Sequence, residues 1–168
     1  MSTPHMDLIT TIRTELRDGE AALTASYLER PLTRNYLRGR TTLVDRAIVS
    51  LWQHCGLPAS YALVATGGYG RGELFPYSDV DLLILLPTDA RRDQEEALTG
   101  FVSALWDIGL YIGHSVRSVG ECVDVAADDV TIQTSLLETR ILTGSATLLE
   151  TLNTQLRLAL DVNRFFKA

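Results

Sequence analysis

One stretch constrains this chain more than any other: Gly67-Gly68-Tyr69-Gly70-Arg71-Gly72-Glu73-Leu74-Phe75-Pro76-Tyr77-Ser78-Asp79-Val80-Asp81-Leu82-Leu83-Ile84-Leu85. Its second half carries two aspartates two residues apart and then runs apolar to Leu86, the pattern of a central strand whose mouth alone is polar. Its first half sets four glycines into residues 67–72, directly after the short apolar run Tyr61-Ala62-Leu63-Val64-Ala65. A strand, a glycine-rich turn and a second strand therefore follow one another. Without side chains in the way, the turn lets backbone N–H groups approach phosphate oxygens.

Two common glycine-loop readings fail. Glu73 stands where the third glycine of the dinucleotide fingerprint belongs, and no Gly-Lys-Ser/Thr follows to make a P-loop. Side chains two apart on a strand project from one face about 6–7 Å apart along it, so Asp79 and Asp81 can reach one metal cluster. Mg²⁺ takes a couple of carboxylates plus water and phosphate oxygens, and two such ions activate an attacking oxygen while stabilising a leaving pyrophosphate. The pattern predicts nucleotidyl transfer, with Asp79 and Asp81 as catalytic residues and metal ligands. Gly67 and Gly68 then lie at the nucleotide phosphates, and Arg71 is placed to grip the triphosphate, since guanidinium matches phosphate oxygens bidentately. Ser78 either orients Asp79 or simply forms the turn before it.

The flanks supply the rest of the fold. Leu8, Ile12 and Leu16 recur at helical spacing, and Val44, Ala47, Ile48, Leu51, Trp52 and Cys55 make a second stripe. Pro31 separates these two helices and Gly56-Leu57-Pro58 stops the second. After the strand Val80 to Leu86, Asp89 is placed to cap a helix with Leu98, Phe101, Val102, Leu105 and Trp106 on one face, closed by Gly109. Both Trp52 and Trp106 are expected in the core. Leu110 to Val116 reads as a third strand, on which His114 is expected to be structural; Ser118-Val119-Gly120-Glu121 has capping-box spacing. Short helical pieces follow to Leu137, and Ser145 precedes a last helix carrying Leu148, Leu149, Leu152 and Leu156. Helical pattern continues from Leu158 to Ala168, which reads as a fragment of a longer protein. Arg34, Arg38 and Arg40 form a basic cluster whose default reading is a solvated face.

Composition narrows the function classes. With 15 Lys+Arg against 21 Asp+Glu the net charge is −6, which argues against general nucleic-acid binding or an anionic membrane surface. Hydrophobic residues make up 46% of 168, enough to fill one core. Cys55 and Cys122 lie far apart with no metal-finger spacing, so neither a zinc site nor a disulfide framework is expected. No apolar run spans a bilayer and the start lacks signal-peptide character, which reads as cytoplasmic.

Gly-Gly, about ten residues, then Asp-x-Asp resembles the DNA polymerase β-like nucleotidyltransferase superfamily. The longer string Gly67 to Leu85, with Leu105-Trp106-Asp107, Gly113-His114-Ser115-Val116-Arg117 and Leu137-Glu138-Thr139-Arg140, resembles the N-terminal catalytic domain of the bacterial PII uridylyltransferase/uridylyl-removing enzymes. The resemblance implies an α/β (α+β) nucleotidyltransferase fold: a small mixed β-sheet packed with helices and preceded by N-terminal helices. Residues 1–58 would form the helical segment and 59–168 the nucleotidyltransferase domain. It implies Mg²⁺ (or Mn²⁺)-dependent transfer of UMP from UTP to a tyrosine of the PII nitrogen-regulatory protein, with release of pyrophosphate. It further implies that the hydrolytic HD and glutamine-sensing ACT domains of that family lie outside these residues, so removal of UMP and response to glutamine are not expected of them.

The superfamily usually supplies a third carboxylate from a later strand, and Tyr111 to Arg117 contains none; Glu73, Asp107 and Glu121 are the nearest candidates. The competing readings are adenylyl transfer to a protein or small molecule such as an aminoglycoside, and a catalytically weak nucleotide-binding regulatory module.

Overall fold

Pro31 and Gly56 do what their chemistry requires. The computed structural model describes residues 3–88 and 94–159, and its first two elements are α1 (Thr3–Glu29) and α2 (Thr33–His54), parted at Pro31. Gly56 follows α2 at φ +66°, a left-handed conformation that ends a helix and that glycine adopts without cost. The remaining elements are β1 (Ala62–Ala65), α3 (Gly67–Gly70), β2 (Val80–Leu86), α4 (Glu95–Asp107), β3 (Ile112–Ser118), α5 (Val119–Asp128), α6 (Val130–Leu137), β4 (Arg140–Gly144) and α7 (Ala146–Ala159).

These elements gather into two compact units. The first holds α1, α2, residues 72–80, α4 and the chain to Gly113. Its core is built from the α2 stripe Val44, Ile48, Leu51 and Trp52 with Phe101 and Leu105 of α4, all buried. Trp52 and Phe101 meet edge to face at 5.2 Å between centroids and 88°, the geometry that brings a positive ring edge to a negative face. From α1 come Ile9, Ile12 and Leu16. Thr41, buried in α2, lies within hydrogen-bonding reach of the Leu37 carbonyl (2.9 Å) and the Gly72 carbonyl (3.0 Å), so its hydroxyl holds residue 72 to the helix.

Trp106 corrects the expectation of a core position: it is 53% exposed. The buried face of α4 is Phe101, Ala104 and Leu105, and one further residue turns the side chain by about 100° around the axis. The Arg34–Arg40 cluster is likewise divided. Arg34 and Arg38 are exposed, whereas the Arg40 side chain is 12% exposed and paired with Glu20 of α1.

The second unit holds β1, α3, β2 from Asp81, β3 from His114, and α5 to α7. The sheet order is β3-β2-β1-β4, with β1 antiparallel to both β2 and β4. The β2-α4-β3 connection is the helical crossover that a parallel neighbour needs, so the sheet is mixed, as expected. All four β1 residues are buried, which explains their unbroken apolar run. The register Ala62↔Leu85 and Val64↔Leu83 places those four side chains on one face. There they form a core with Val119, Cys122 and Ala126 of α5, Leu136 of α6 and Leu149, Leu152 and Leu156 of α7. Burial pushes the Cys122 thiol up to about 11, an inert packed thiol.

The capping box at Ser118 forms as its spacing predicts: Ser118 Oγ accepts the Glu121 N–H at 3.3 Å and the Glu121 carboxylate accepts the Ser118 N–H at 2.7 Å. At α7, the Leu148 N–H reaches Ser145 Oγ at 3.4 Å. Two elements carry no clear sequence pattern. These are β4, with four of its five residues half-buried and the fifth exposed, and α3, a helical turn made of three glycines and a tyrosine. The capping role of Asp89 and the continuation beyond Ala159 fall outside the described residues.

Candidate active site

The glycine turn is positioned from both of its ends. Thr66, extended at φ −126° and ψ 164°, leads out of β1, and its N–H donates to the Asp81 carbonyl at 3.0 Å. The turn then closes on itself, Gly70 N–H donating to Thr66 and Arg71 N–H to Gly67, both at 3.0 Å. Gly67 takes φ +57°, and a Cβ there would lie 3.6 Å from Ser135 Oγ and 3.9 Å from Asp81 Oδ2. The Asp81 carboxylate thus faces the start of the turn, across the space that a side chain at Gly67 would enter. The first N–H groups of such a turn have no acceptor within it.

At Gly70 there is no room at all. A Cβ would sit 1.9 Å from the Glu138 carbonyl oxygen, so only glycine allows the chain before β4 to lie against the turn. The neighbouring side chains reinforce this contact. Arg71 pairs with the Glu138 carboxylate; Arg140 donates from Nη2 to the Tyr69 carbonyl at 3.2 Å, and its guanidinium lies 5.4 Å from the centroid of the Tyr69 ring. Arg71, placed by its sequence position at the triphosphate, is therefore held beside the turn by a carboxylate 67 residues later. Glu138 and Arg140 are the residues that spacing could not connect to the turn. Nothing local links positions about 70 apart, and only their place in the family-like string marked them.

The approach to β2 is also a built turn. Ser78 N–H donates to the Phe75 carbonyl at 3.1 Å, closing Phe75-Pro76-Tyr77-Ser78. Pro76 sits at the second position of this turn and Tyr77 at the third with φ +64°, a conformation a type II turn requires there and glycine usually supplies. Ser78 thus acts in the turn through its backbone. Val80 is buried, its N–H donating to the Tyr111 carbonyl at 2.8 Å, while Asp79 and Asp81 on either side of it are exposed. This alternation follows the strand period: the two carboxylates lie opposite in parity to Val80 and share the parity of Leu83 and Leu85 further along the strand, so Asp81 is the polar end of a face that is otherwise core.

Two exposed carboxylates are hard oxygen donors that suit Mg²⁺ with its retained waters and phosphate ligands. Among the described residues no group of three or more His, Cys, Asp or Glu could hold a metal. Glu121, one candidate for a third carboxylate, is engaged in the α5 cap; the Ser118 N–H and hydroxyl on it lower its pKa. Glu73 and Asp107 are exposed. His114 is exposed on β3 and Arg117 half-buried.

The sequence matches the family model described as "Nucleotidyltransferase domain" over residues 46–132. Over 156 residues, 93% of this chain, it is 49% identical to the bifunctional uridylyltransferase/uridylyl-removing enzyme of Aromatoleum aromaticum. Over the same length it is 46% identical to that of Burkholderia pseudomallei and 45% to that of Burkholderia mallei. The matched part is 18% of each of these relatives, so the chain spans about a fifth of their length.

Proposed function

Because this chain belongs to the nucleotidyltransferase domain family, we propose that it transfers UMP from UTP to a tyrosine hydroxyl of the PII nitrogen-regulatory protein. The observation that carries this reading is the placement of the Asp81 carboxylate against the Gly67 turn, fixed by the Thr66 to Asp81 backbone hydrogen bond. The names of the similar enzymes support uridylyl as the group transferred.

In the transfer, the phenolic oxygen attacks the α-phosphorus of UTP. An O–P bond forms, the bridging bond to the β-phosphate breaks, pyrophosphate leaves with the electron pair and the phenolic proton passes to solvent. Asp79 and Asp81 would hold Mg²⁺, or Mn²⁺, which supplies charge neutralisation at the phosphates and assists ionisation of a phenol whose unperturbed pKa is near 10. Gly67 and Gly68 admit the phosphates close to the backbone. Arg71, hinged on Glu138, exchanges its carboxylate partner for a phosphate oxygen, an exchange that a half-exposed pair permits because such pairs contribute about 1 kcal/mol or less. A cytoplasmic location accords with this chemistry, and no helix among the described residues is long and apolar enough to cross a membrane.

The test is label transfer from α-labelled UTP and, in parallel, ATP, with and without purified PII. UMP on PII, dependent on UTP and divalent metal, is expected. Transfer from ATP alone would make the chain an adenylyltransferase, and nucleotide binding without transfer to any acceptor would make it a regulatory module.

A further inference from the structure

Within the first unit, α1, α2 and the turn after α4 line a half-open cavity of about 530 Å³. That lies inside the range of about 300–1,000 Å³ usual for small-ligand sites. Its lining divides by chemistry. Leu16, Val44 and Ile108 give apolar walls, and Arg13, Arg17 and Arg40 give three guanidinium groups against the single carboxylate of Glu20. Such a concentration of positive charge stands out in a chain of net charge −6.

The three arginines are not equivalent. Arg40 is held in place by Glu20 on one side and by the Leu74 and Phe75 carbonyls on the other. Arg13 and Arg17 stand one helical turn apart on α1, so their side chains share a face. Among the described residues Arg17 pairs with its exposed neighbour Asp18 alone, a contact of little strength. Among the described residues no carboxylate pairs with Arg13. A fixed guanidinium inside and two adaptable ones outside, above apolar walls, fit a ligand with an anionic head and a hydrophobic body. A preorganised donor lowers the ordering cost of binding such a head.

We infer that this cavity is a binding site for a small organic anion, a carboxylate or phosphate ester with an apolar body, independent of the nucleotide site.

Octanoate, octylammonium and acetate, titrated into the isotopically labelled 168-residue chain and followed by amide NMR, test it. Octanoate is expected to shift the Thr14, Arg17 and Gly109 amides saturably. Octylammonium, with the same body and opposite charge, should leave them in place, and acetate, with the head alone, should bind at least tenfold more weakly. Arg13→Gln/Arg17→Gln should fold as the parent does, since both positions are exposed on a helix, and should weaken octanoate at least tenfold, with Arg13→Lys/Arg17→Lys recovering part of the loss. Equal shifts from octanoate and octylammonium, shifts confined to other parts of the chain, or unchanged octanoate affinity in the glutamine variant would overturn the assignment.

Discussion

The α1–α2 hairpin and the glycine turn both bring chain segments together through glycine, and they do so against different neighbours. In the hairpin, a Cβ at Gly19 would meet the Leu43 methyls at 2.7 Å and one at Gly39 would meet Leu23 Cδ2 at 2.5 Å. Those are ends of flexible side chains that can swing away. At Gly70 the obstacle is the Glu138 carbonyl oxygen at 1.9 Å, and at Gly144 it is the Tyr61 carbonyl oxygen at 2.1 Å. These are backbone atoms, and the Tyr61 carbonyl already accepts the Ser145 N–H at 2.8 Å. The hairpin is therefore packed with tolerance, while in the second unit both ends of the β1–β4 pair, the glycine turn at one of them, are fixed by main chain. A site that must hold reacting groups to a fraction of an ångström needs the second kind of support.

The sharpest break of that contrast is Gly70→Ala. It should destabilise the chain by about 3 kcal/mol or more, because backbone must move to admit the methyl; a denaturant midpoint within error of the parent would show that the turn is as forgiving as the hairpin. Next in size, Asp79→Asn and Asp81→Asn should each lower uridylyl transfer at least about 100-fold, near 2.7 kcal/mol in the barrier. Both residues are exposed, so melting temperature should stay within a degree or two; transfer assays paired with thermal melts check both halves.

Smaller is Tyr77→Gly, expected to raise stability by about 1 kcal/mol, since it removes a left-handed tyrosine that is 92% exposed and buries nothing on the chain. Gly39→Ala, the counterpart of Gly70→Ala in the hairpin, should change stability by less than about 1 kcal/mol in either direction: the gain in helix propensity offsets the displacement of Leu23. Urea titrations resolve both.

The smallest effect is at the α5 cap. Glu121 titrates below the ordinary carboxylate value of 4.5 because the Ser118 N–H and hydroxyl favour its charged form. The folded state therefore binds this proton less readily than the unfolded state. The contribution is present above the unfolded value and lost as pH falls through the folded one. Acid unfolding followed by circular dichroism should show a slightly shallower pH dependence below 4.5 in Glu121→Gln than in the parent.

Much of this was legible along the chain because it is written at short range. Pro31 and Gly56 bound α2, the run after Asp81 is β2, Ser118 and Glu121 three residues apart make their cap, and Asp-Val-Asp sets two exposed carboxylates around one buried valine. Each depends on backbone geometry within a few residues, where residue type decides conformation directly. Trp106 shows the margin of that method: one position along a helix separates a buried side chain from an exposed one, and a stripe drawn generously includes both.

Local pattern left undetermined whatever depends on meeting a distant segment. β4 is irregular in sequence because half-burial at a sheet margin does not demand alternation, and it becomes a strand only where β1 offers its hydrogen bonds. Four glycines after a strand dictate a permissive turn, but that the turn is helical, that Gly70 admits no other residue, and that Arg71 and Arg140 are tied to Glu138 and Tyr69 follow from the chain near residue 138 lying against it. Contacts across about 70 residues are set by the packing of whole elements. The sequence determines the chemistry these residues can offer; the tertiary structure decides which of them meet.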